Sequence, residues 1–131
     1  MFNTTYNRTA SDQADQYVFF IEDESIDFVW STSLFTHMLI HQVDNYIGQM
    51  ARVMRSGAHC WNTYLILDEV ALGLIDKLDG TKRWYMPYSI DGGRVQDLAN
   101  PESQIALYEG KSAKFTKTTR LTGFWNVPCS D

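Results

Sequence analysis

Residues 26–41, which read IDFVWSTSLFTHMLIH, change abruptly from apolar to polar side chains. Apart from Asp27, the run from Ile26 to Trp30 is apolar, which predicts a strand buried on both faces, as in a parallel sheet between helix layers. Three hydroxyl residues follow this strand directly: Ser31, Thr32 and Ser33. Either these hydroxyls face a binding crevice at the carboxyl end of the strand, or they cap the helix that comes next.

The period of the apolar residues changes after Gln42. A set spaced three and four apart predicts an amphipathic helix. Its members are Val43, Tyr46, Ile47, Met50, Val53 and Met54. Gly57 is the predicted stop of this helix, because glycine is favoured just past helix ends. A second strand, rich in aromatic and aliphatic residues, is predicted over Ala58–Leu67.

The next segment predicts a second helix. Asp68 suits the N-cap position, where a carboxylate can accept from a backbone N–H. The apolar stripe of this helix consists of Val70, Leu74, Ile75 and Leu78. Gly80 marks its predicted end.

Shorter elements complete the chain. Residues 84–90 alternate like a strand, and Pro87 confines them to an edge strand or a loop. Residues 91–93 (DGG) predict a turn, residues 100–110 a short helix that begins with Asn-Pro, and residues 114–125 one or two late strands. The order of strand, helix, strand, helix and late strands predicts an α/β fold with an open sheet and flanking helices.

Length and composition limit the classes of protein. With 131 residues, of which 44% are hydrophobic, the chain predicts a single globular domain over residues 1–131 whose polar residues 1–16 form a loop or a frayed start. The net charge of −5 argues against a nucleic-acid partner, because such binding depends on neutralising phosphates. A basic run near the C-terminus is interpreted as a solvated face. It consists of Lys111, Lys114, Lys117 and Arg120.

The lengths of apolar runs and the use of cysteine and histidine bear on compartment and metal binding. No apolar run reaches the roughly 20 residues that span a bilayer, so no membrane contact is predicted. Cys60 and Cys129 form neither a metal knuckle nor a disulfide framework. His37 and His41 are four residues apart, but the glutamate of an HExxH zinc helix is absent. We therefore predict a reduced, cytoplasmic protein without a bound metal.

Two motifs around the first strand and the first helix resemble the middle of class I S-adenosylmethionine-dependent methyltransferases. Residues 23–27 (DESID) are similar to a family turn of the type DGSFD, which leads into a strand. Residues 49–58 (QMARVMRSGA) are similar to the family's ExxRVLKPGG, with Gln for Glu, Ser for Pro and Ala for the second Gly. The resemblance implies a partial Rossmann-like sheet.

The resemblance also implies a cofactor, S-adenosylmethionine, and residues that would bind it. Counted back from the DESID turn, Asp15 and Gln16 take the positions beside the adenine. Ser31, Thr32 and Ser33 take the positions at the methionine end of the cofactor. Phe35 lies just beyond them, at the mouth of the substrate site.

Three further residues suit the chemistry of such a site. His37 could remove a proton from a substrate nucleophile, since imidazole titrates near neutral pH. The alternative is a loop histidine whose ring is hydrogen-bonded to the backbone. Trp84 and Tyr85 could stack on a planar substrate, or they could belong to the core.

The family's glycine-rich cofactor loop has no counterpart in this sequence. The first glycine, Gly48, lies in the predicted helix, and Gly92–Gly93 comes too late in the order. The resemblance therefore covers the C-terminal half of the family domain. Two hypotheses follow: a methyltransferase with an unknown methyl acceptor, or a non-catalytic truncated remnant that acts as an interaction module. Without preceding strands the first strand would lie at a sheet edge, which predicts a homodimer.

Overall fold

The computed structural model describes residues 7–82 and 84–110, together with the backbone of residues 120–121 and 124–127. This part of the chain is a mixed α/β fold with two sheets and two α-helices. The elements of the first sheet and its helix are β1 (Ile26–Ser31), α1 (Ile40–Val53), β2 (Met54–Asn62), β7 (Arg120–Leu121) and β8 (Phe124–Val127). Those of the second sheet and its helix are β3 (Ile66–Leu67), α2 (Glu69–Ile75), β4 (Tyr88–Ile90), β5 (Gly93–Val95) and β6 (Ile105–Tyr108). Among the described residues, no helix is long and apolar enough to cross a membrane.

The first sheet is built on a strand–helix–strand unit. β1 and β2 are parallel neighbours, joined through α1, and Trp30 lies beside Trp61 in their register. The strand order is β1-β2-β8-β7, with β8 antiparallel to both β2 and β7. The predicted first strand and first helix are confirmed, and β1 ends the sheet within the described residues. β7 and β8 agree with the predicted late strands, whereas the basic run lies outside the residues whose side chains are described.

The prediction that β1 is buried on both faces is wrong. Val29 packs into the core, but Phe28 is 55% exposed and Trp30 is 69% exposed. The physical reason is that core residues cover only one face of the strand. The apolar run therefore reflects one buried face and one exposed apolar face, rather than a layer between two helices.

Helix α1 carries the core, and its end differs from the prediction. All six residues of the predicted stripe are buried, although Met54 already belongs to β2. The helix ends at Val53 and not at Gly57, because backbone amides of the turn before β1 satisfy its last carbonyls. The Ser25 N–H donates to Val53 O at 2.9 Å and the Glu24 N–H donates to Arg52 O at 3.0 Å. Gly57, with φ of 80°, lies within β2.

The predicted strand over Ala58–Leu67 is divided between the two sheets. The Thr63 N–H still donates to Ser31 O in β1 at 3.2 Å. Two residues later, Leu65 O accepts from the Leu107 N–H of β6 at 2.8 Å. The chain thus exchanges one neighbouring strand for another, and the single open sheet that the sequence predicts becomes two sheets. The sequence of residues 58–67 does not reveal such an exchange, because strand-forming residues continue through the point where the neighbouring strand changes.

The second sheet has the order β3-β6-β5-β4, and its hairpin depends on two glycines. The predicted edge strand is confirmed as β4, which pairs with β5 across the predicted turn. Gly92 has φ of 77°, and a Cβ there would lie 2.9 Å from Ile40 Cβ at the start of α1. A Cβ on Gly93 would lie 2.1 Å from Ala106 O in β6. The turn therefore packs tightly against both α1 and its own sheet.

Two further predictions in this region need correction. Residues 100–110 form a 3-10 helix at Pro101–Ser103 and then β6, instead of one helix. Ile105 and Leu107 are buried to 1% exposure or less, and their pairing with β5 outweighs the Asn-Pro helix signal. Asp68 is the N-cap of α2, as predicted, and its Oδ1 accepts from the Ala71 N–H at 2.8 Å. The predicted stripe of α2 is correct only in part: Ile75 packs against the second core, whereas Val70 is 70% exposed and Leu74 is 59% exposed. The helix ends at Ile75 and not near Gly80.

Residues 14–25, called here the N-terminal strap, run alongside α1 without helix or strand up to β1. Asn45 Nδ2 donates to Ala14 O and Tyr17 O, each at 2.9 Å. Arg52 Nη2 donates to Phe19 O at 2.8 Å. Ala14 is buried, so the frayed start that the sequence predicts up to residue 16 already packs against the core at this point.

Candidate functional site

The carboxyl ends of β1 and β2 meet in a group of polar residues, called here the strand-end cluster. Its members are Ser31, Ser33, Asn62 and Thr63. Ser31 Oγ donates to Asn62 Oδ1 at 2.6 Å, and the Ser33 N–H donates to Thr63 Oγ1 at 2.8 Å. Asn62 is only 1% exposed. Because parallel strands present their carboxyl ends at one edge, this is where an open α/β fold binds ligands.

The polar triplet at residues 31–33 links the two strand ends. The three hydroxyls cap neither of the helices that follow. The 3-10 helix at Phe35–His37 has Leu34 as its N-cap and no side-chain cap, and no hydroxyl of residues 31–33 caps α1. Gln42 Oε1 instead accepts from the Leu39 N–H at the start of α1, at 2.8 Å. Neither of the two sequence interpretations covers this arrangement, in which the hydroxyl of Ser31 and the amide of Ser33 bind side chains at the end of β2.

Ser33 adopts a backbone conformation that is uncommon for a residue with a side chain. Its φ is 54°, in the left-handed region that glycine prefers. The hydrogen bond from its N–H to Thr63 Oγ1 holds it there. Such conformations cost about 1–3 kcal/mol and cluster at functional sites. Thr32, between the two serines, is exposed.

Phe35, which was predicted to lie at the mouth of a substrate site, is buried in the structure. Its side chain is 1% exposed and lies in the main core. Its ring is stacked on Tyr64, with 5.0 Å between centroids and 12° between planes, and it meets Tyr46 edge-on at 6.5 Å. The 3-10 helix that contains Phe35 turns this side chain inward, so it cannot contact a ligand at the surface.

His37 is hydrogen-bonded to the backbone, as the alternative interpretation predicts. Its Nδ1 lies 3.2 Å from Glu102 O. A carbonyl oxygen only accepts, so Nδ1 carries the proton and Nε2 is the basic nitrogen of the neutral ring. Glu102 is 5% exposed, and its Oε1 accepts from Gln42 Nε2 at 2.8 Å. The hydrogen bond from His37 Nδ1 to Glu102 O holds His37 against the 3-10 helix that precedes β6.

Asp15 and Gln16 are exposed on the N-terminal strap. The neighbouring carbonyls of Ala14 and Tyr17 are held by Asn45, in the second turn of α1. Since α1 begins at the end of the molecule where β1 finishes, the two predicted adenine-side residues lie toward that same end. No hydrogen bond among the described residues joins either of them to the strand-end cluster.

Trp84 and Tyr85 lie beside the second sheet. Trp84 is 47% exposed, and Tyr85 is partly buried. The next residue, Met86, is 2% exposed and packs with Leu67 and Ala106 in a small second core. The structure does not gather Trp84 and Tyr85 into the strand-end cluster through any hydrogen bond or ring pair shown for the described residues.

The outer side of the second sheet carries a charged network that the sequence does not reveal. Arg94 Nη1 donates to Asp76 Oδ1 at 2.6 Å. Ser89 Oγ lies 3.4 Å from the Tyr108 hydroxyl. The hydrogen bond with Ser89, and then that with Arg94, lowers the pKa of Tyr108. Hydrogen bonding to Asp76 raises the pKa of Arg94. The network links β4, β5, β6 and the end of α2.

An exposed aromatic surface lies on the outer side of β1 and β2. It consists of Phe28, Trp30 and Trp61 and is called here the aromatic face. Trp30 and Trp61 are direct neighbours in the strand register, and Trp61 is 47% exposed. Period-two spacing in β1 could have revealed this face, because Phe28 and Trp30 share one side of a strand.

Metal binding and similarity to known proteins add no further residues to the site. Within residues 7–82 and 84–110, no group of three or more His, Cys, Asp or Glu side chains could hold a metal ion. No family model matches the chain, and no solved structure matches it at a significant level. The resemblance to methyltransferases therefore rests on the two motifs alone.

Proposed function

We propose that this chain is a non-catalytic interaction module built on a methyltransferase-like half sheet, and that it acts as a homodimer in the cytoplasm. One contrast carries the proposal. The hydroxyl of Ser31 and the amide of Ser33, at positions expected to face a cofactor, are instead bonded to Asn62 and Thr63. The aromatic face, by contrast, is exposed.

The sheet order supports the Rossmann-like, methyltransferase-like part of this proposal. β1 and β2 are parallel across α1. β8 pairs with β2 antiparallel, and β7 lies beyond β8, antiparallel to it and therefore parallel to β2. Doubly wound folds commonly include an antiparallel strand in an otherwise parallel sheet. This is also the arrangement expected of the second half of a class I methyltransferase sheet.

The residues at the strand ends fit S-adenosylmethionine poorly. The hydroxyl of Ser31 and the amide of Ser33 already have partners, and Phe35 is buried in the core. We therefore derive no methyl-transfer step for this chain.

A catalytic methyltransferase with an unknown methyl acceptor is the second candidate. The left-handed conformation of Ser33, at the carboxyl ends of two parallel strands, favours it. In that case Asp15, Gln16 and Thr32 would be the cofactor contacts with exposed side chains, Trp84 and Tyr85 the substrate contacts, and His37 Nε2 the base.

Isothermal titration calorimetry and thermal shift with S-adenosylhomocysteine and S-adenosylmethionine separate the two candidates. We expect no heat and no shift at concentrations up to roughly a millimolar. Saturable binding that is weakened by Asp15→Ala or Ser31→Ala would overturn the non-catalytic proposal. Glu109→Ala is the matched control, since this exposed carboxylate lies just past β6 in the second sheet.

A further inference from the structure

The free edge of β1 presents backbone groups that can pair with another strand. Ser31 O accepts from the Thr63 N–H, so the backbone groups of Ser31 point toward β2. Successive residues of a strand direct their N–H and C=O groups to alternate sides. The groups of Phe28 and Trp30 therefore point away from β2, to the edge where the described sheet ends.

This edge lacks the features that usually prevent pairing. Natural edge strands carry lysine, proline or inward-pointing charges, and β1 reads IDFVWS. Its one charged residue, Asp27, is paired with Arg55 at 2.6 Å. The edge is therefore open to a partner strand.

Exposed apolar side chains lie on the strand at this edge and in the segment that precedes it. The aromatic face includes Phe28 and Trp30 of β1 itself, and the N-terminal strap, which leads into β1, adds Phe20 at 91% exposure. At roughly 150–250 Å² per aromatic side chain, these four residues expose on the order of 500 Å² per copy. Two copies thus offer about 1,000 Å², close to the size at which specific interfaces begin.

We propose that two copies of this chain pair antiparallel through β1 about a two-fold axis at Val29, which gives one continuous sheet across the dimer. This inference rests on the proposed function as an interaction module, and it specifies the strand and the register through which the two copies pair. With a two-fold axis normal to the sheet, each side chain lies opposite a side chain of the partner on the same face of the sheet. Since alternate residues of a strand share a face, Phe28 must lie opposite an even-numbered residue. In the proposed register that residue is the partner's Trp30.

The register satisfies the free backbone groups and pairs the exposed side chains. Phe28 and the partner's Trp30 both direct their N–H and C=O groups across the seam, so they form a hydrogen-bonded pair, and the dyad repeats it. Aromatic side chains directly opposite one another stabilise antiparallel pairs. Val29 opposes its own copy as a non-hydrogen-bonded pair, where Cα atoms lie about 4.5 Å apart.

Sedimentation velocity tests the seam. We expect the wild-type chain to be a dimer at micromolar concentration and Trp30→Lys, which places a charge beside the edge, to weaken dimerisation at least tenfold. Val70→Lys is the control, because Val70 is equally exposed but lies on α2, and its dimer should match the wild type. A monomeric wild type, or a Trp30→Lys dimer of unchanged affinity, would overturn the inference.

Cysteine cross-linking tests the register. In a background of Cys60→Ala, which removes the cysteine beside Val29 in the β1–β2 register, and Cys129→Ser, Val29→Cys should form a disulfide-linked dimer under mild oxidation. The expected Cα separation of the two copies of residue 29 lies within the range of disulfides. Phe28→Cys and Trp30→Cys should not cross-link, because two residues of offset separate like positions by roughly 8 Å or more. Preferential cross-linking at either of these positions would exclude the proposed register. Cofactor binding by an intact dimer would contradict the proposed function but not the seam.

Discussion

The two sheets of this molecule differ in what covers them. The first sheet packs one face against α1 and leaves Phe28, Trp30 and Trp61 exposed on the other. The second sheet buries Val95, Ile105 and Leu107 to 1% exposure or less, and its hairpin turn touches the start of α1. The second sheet therefore carries much of the specific packing, whereas one face of the first sheet is exposed.

The largest effect should come from Gly93→Ala, in the second sheet. A Cβ at this position would lie 2.1 Å from Ala106 O, and neither backbone can move without breaking the β5–β6 pairing. We expect a loss of more than about 4 kcal/mol, or no folded protein, in urea unfolding followed by circular dichroism.

Gly73→Ala is the matched control for that substitution. No atom lies within 4 Å of a Cβ at Gly73, in α2. Alanine should therefore leave stability unchanged or raise it by about 0.5–1 kcal/mol, because it favours the helix. Equal losses in both variants would show that the hairpin has no special steric role.

Phe35→Ala should give the next largest loss, and Phe28→Ala sharpens the comparison. Phe35 is 1% exposed in the main core and stacks on Tyr64, whereas Phe28 is 55% exposed on the outer face of β1. Removal of a buried aromatic side chain costs about 3–5 kcal/mol. For Phe28 we expect less than about 1 kcal/mol at protein concentrations below the dimer range. Similar losses would mean that the aromatic face is structural.

Asn62→Ala should cost about 1–3 kcal/mol, since it removes a buried side chain and leaves the partly buried hydroxyl of Ser31 without its acceptor. A double-mutant cycle with Ser31→Ala measures the coupling between the two side chains. Thr32→Ala, in the same triplet but exposed, should change stability by less than about 0.5 kcal/mol. The absence of coupling between Ser31 and Asn62 would mean that the strand-end cluster is not closed in solution.

The smallest effect is a difference in pH dependence between two tyrosines. Burial, and then Tyr17, raises the pKa of Tyr46 to about 12. The unfolded chain therefore releases the Tyr46 proton first, and its contribution to stability is lost as pH rises from about 10 to about 12. The hydrogen bond with Ser89 lowers the pKa of Tyr108, so this tyrosine adds stability as pH rises toward 10.

Tyr46→Phe and Tyr108→Phe separate these two contributions. We expect Tyr46→Phe to flatten the fall in the free energy of unfolding above pH 10, and Tyr108→Phe to remove a gain just below pH 10. Absorbance at 295 nm should show Tyr108 ionising before Tyr46. The reverse order of ionisation would contradict the burial of Tyr46 under the first sheet.

Local patterns predicted the elements whose signals lie within a few residues. The spacing of Val43, Tyr46 and Met50 specifies one buried face of α1, and the structure buries all three. Asp68 caps α2 because its carboxylate reaches an N–H three residues away. The glycines after Asp91 allow the tight turn of the second sheet.

The other predictions were wrong because they depend on contacts between segments that are distant in the sequence. The apolar run over Ala58–Leu67 is compatible with one strand, but it divides where Leu107 displaces β1 as the neighbour of Leu65. The Asn-Pro helix signal was weaker than the burial of Ile105 and Leu107 against β5. Phe35 resembled a site residue because it follows the polar triplet, yet the stacking on Tyr64 holds it in the core.

The stretch IDFVWSTS shows which features are set by the local sequence and which depend on the tertiary structure. By itself the sequence determined that residues 26–30 form a strand and that hydroxyl residues follow it, since apolar runs and polar breaks are local properties. Only the tertiary structure decided that Phe28 and Trp30 face outward and that Ser31 and Ser33 bind residues at the end of β2. The physical reason is that burial and hydrogen-bond pairing depend on neighbours about 30 residues away in the chain, which no local pattern specifies.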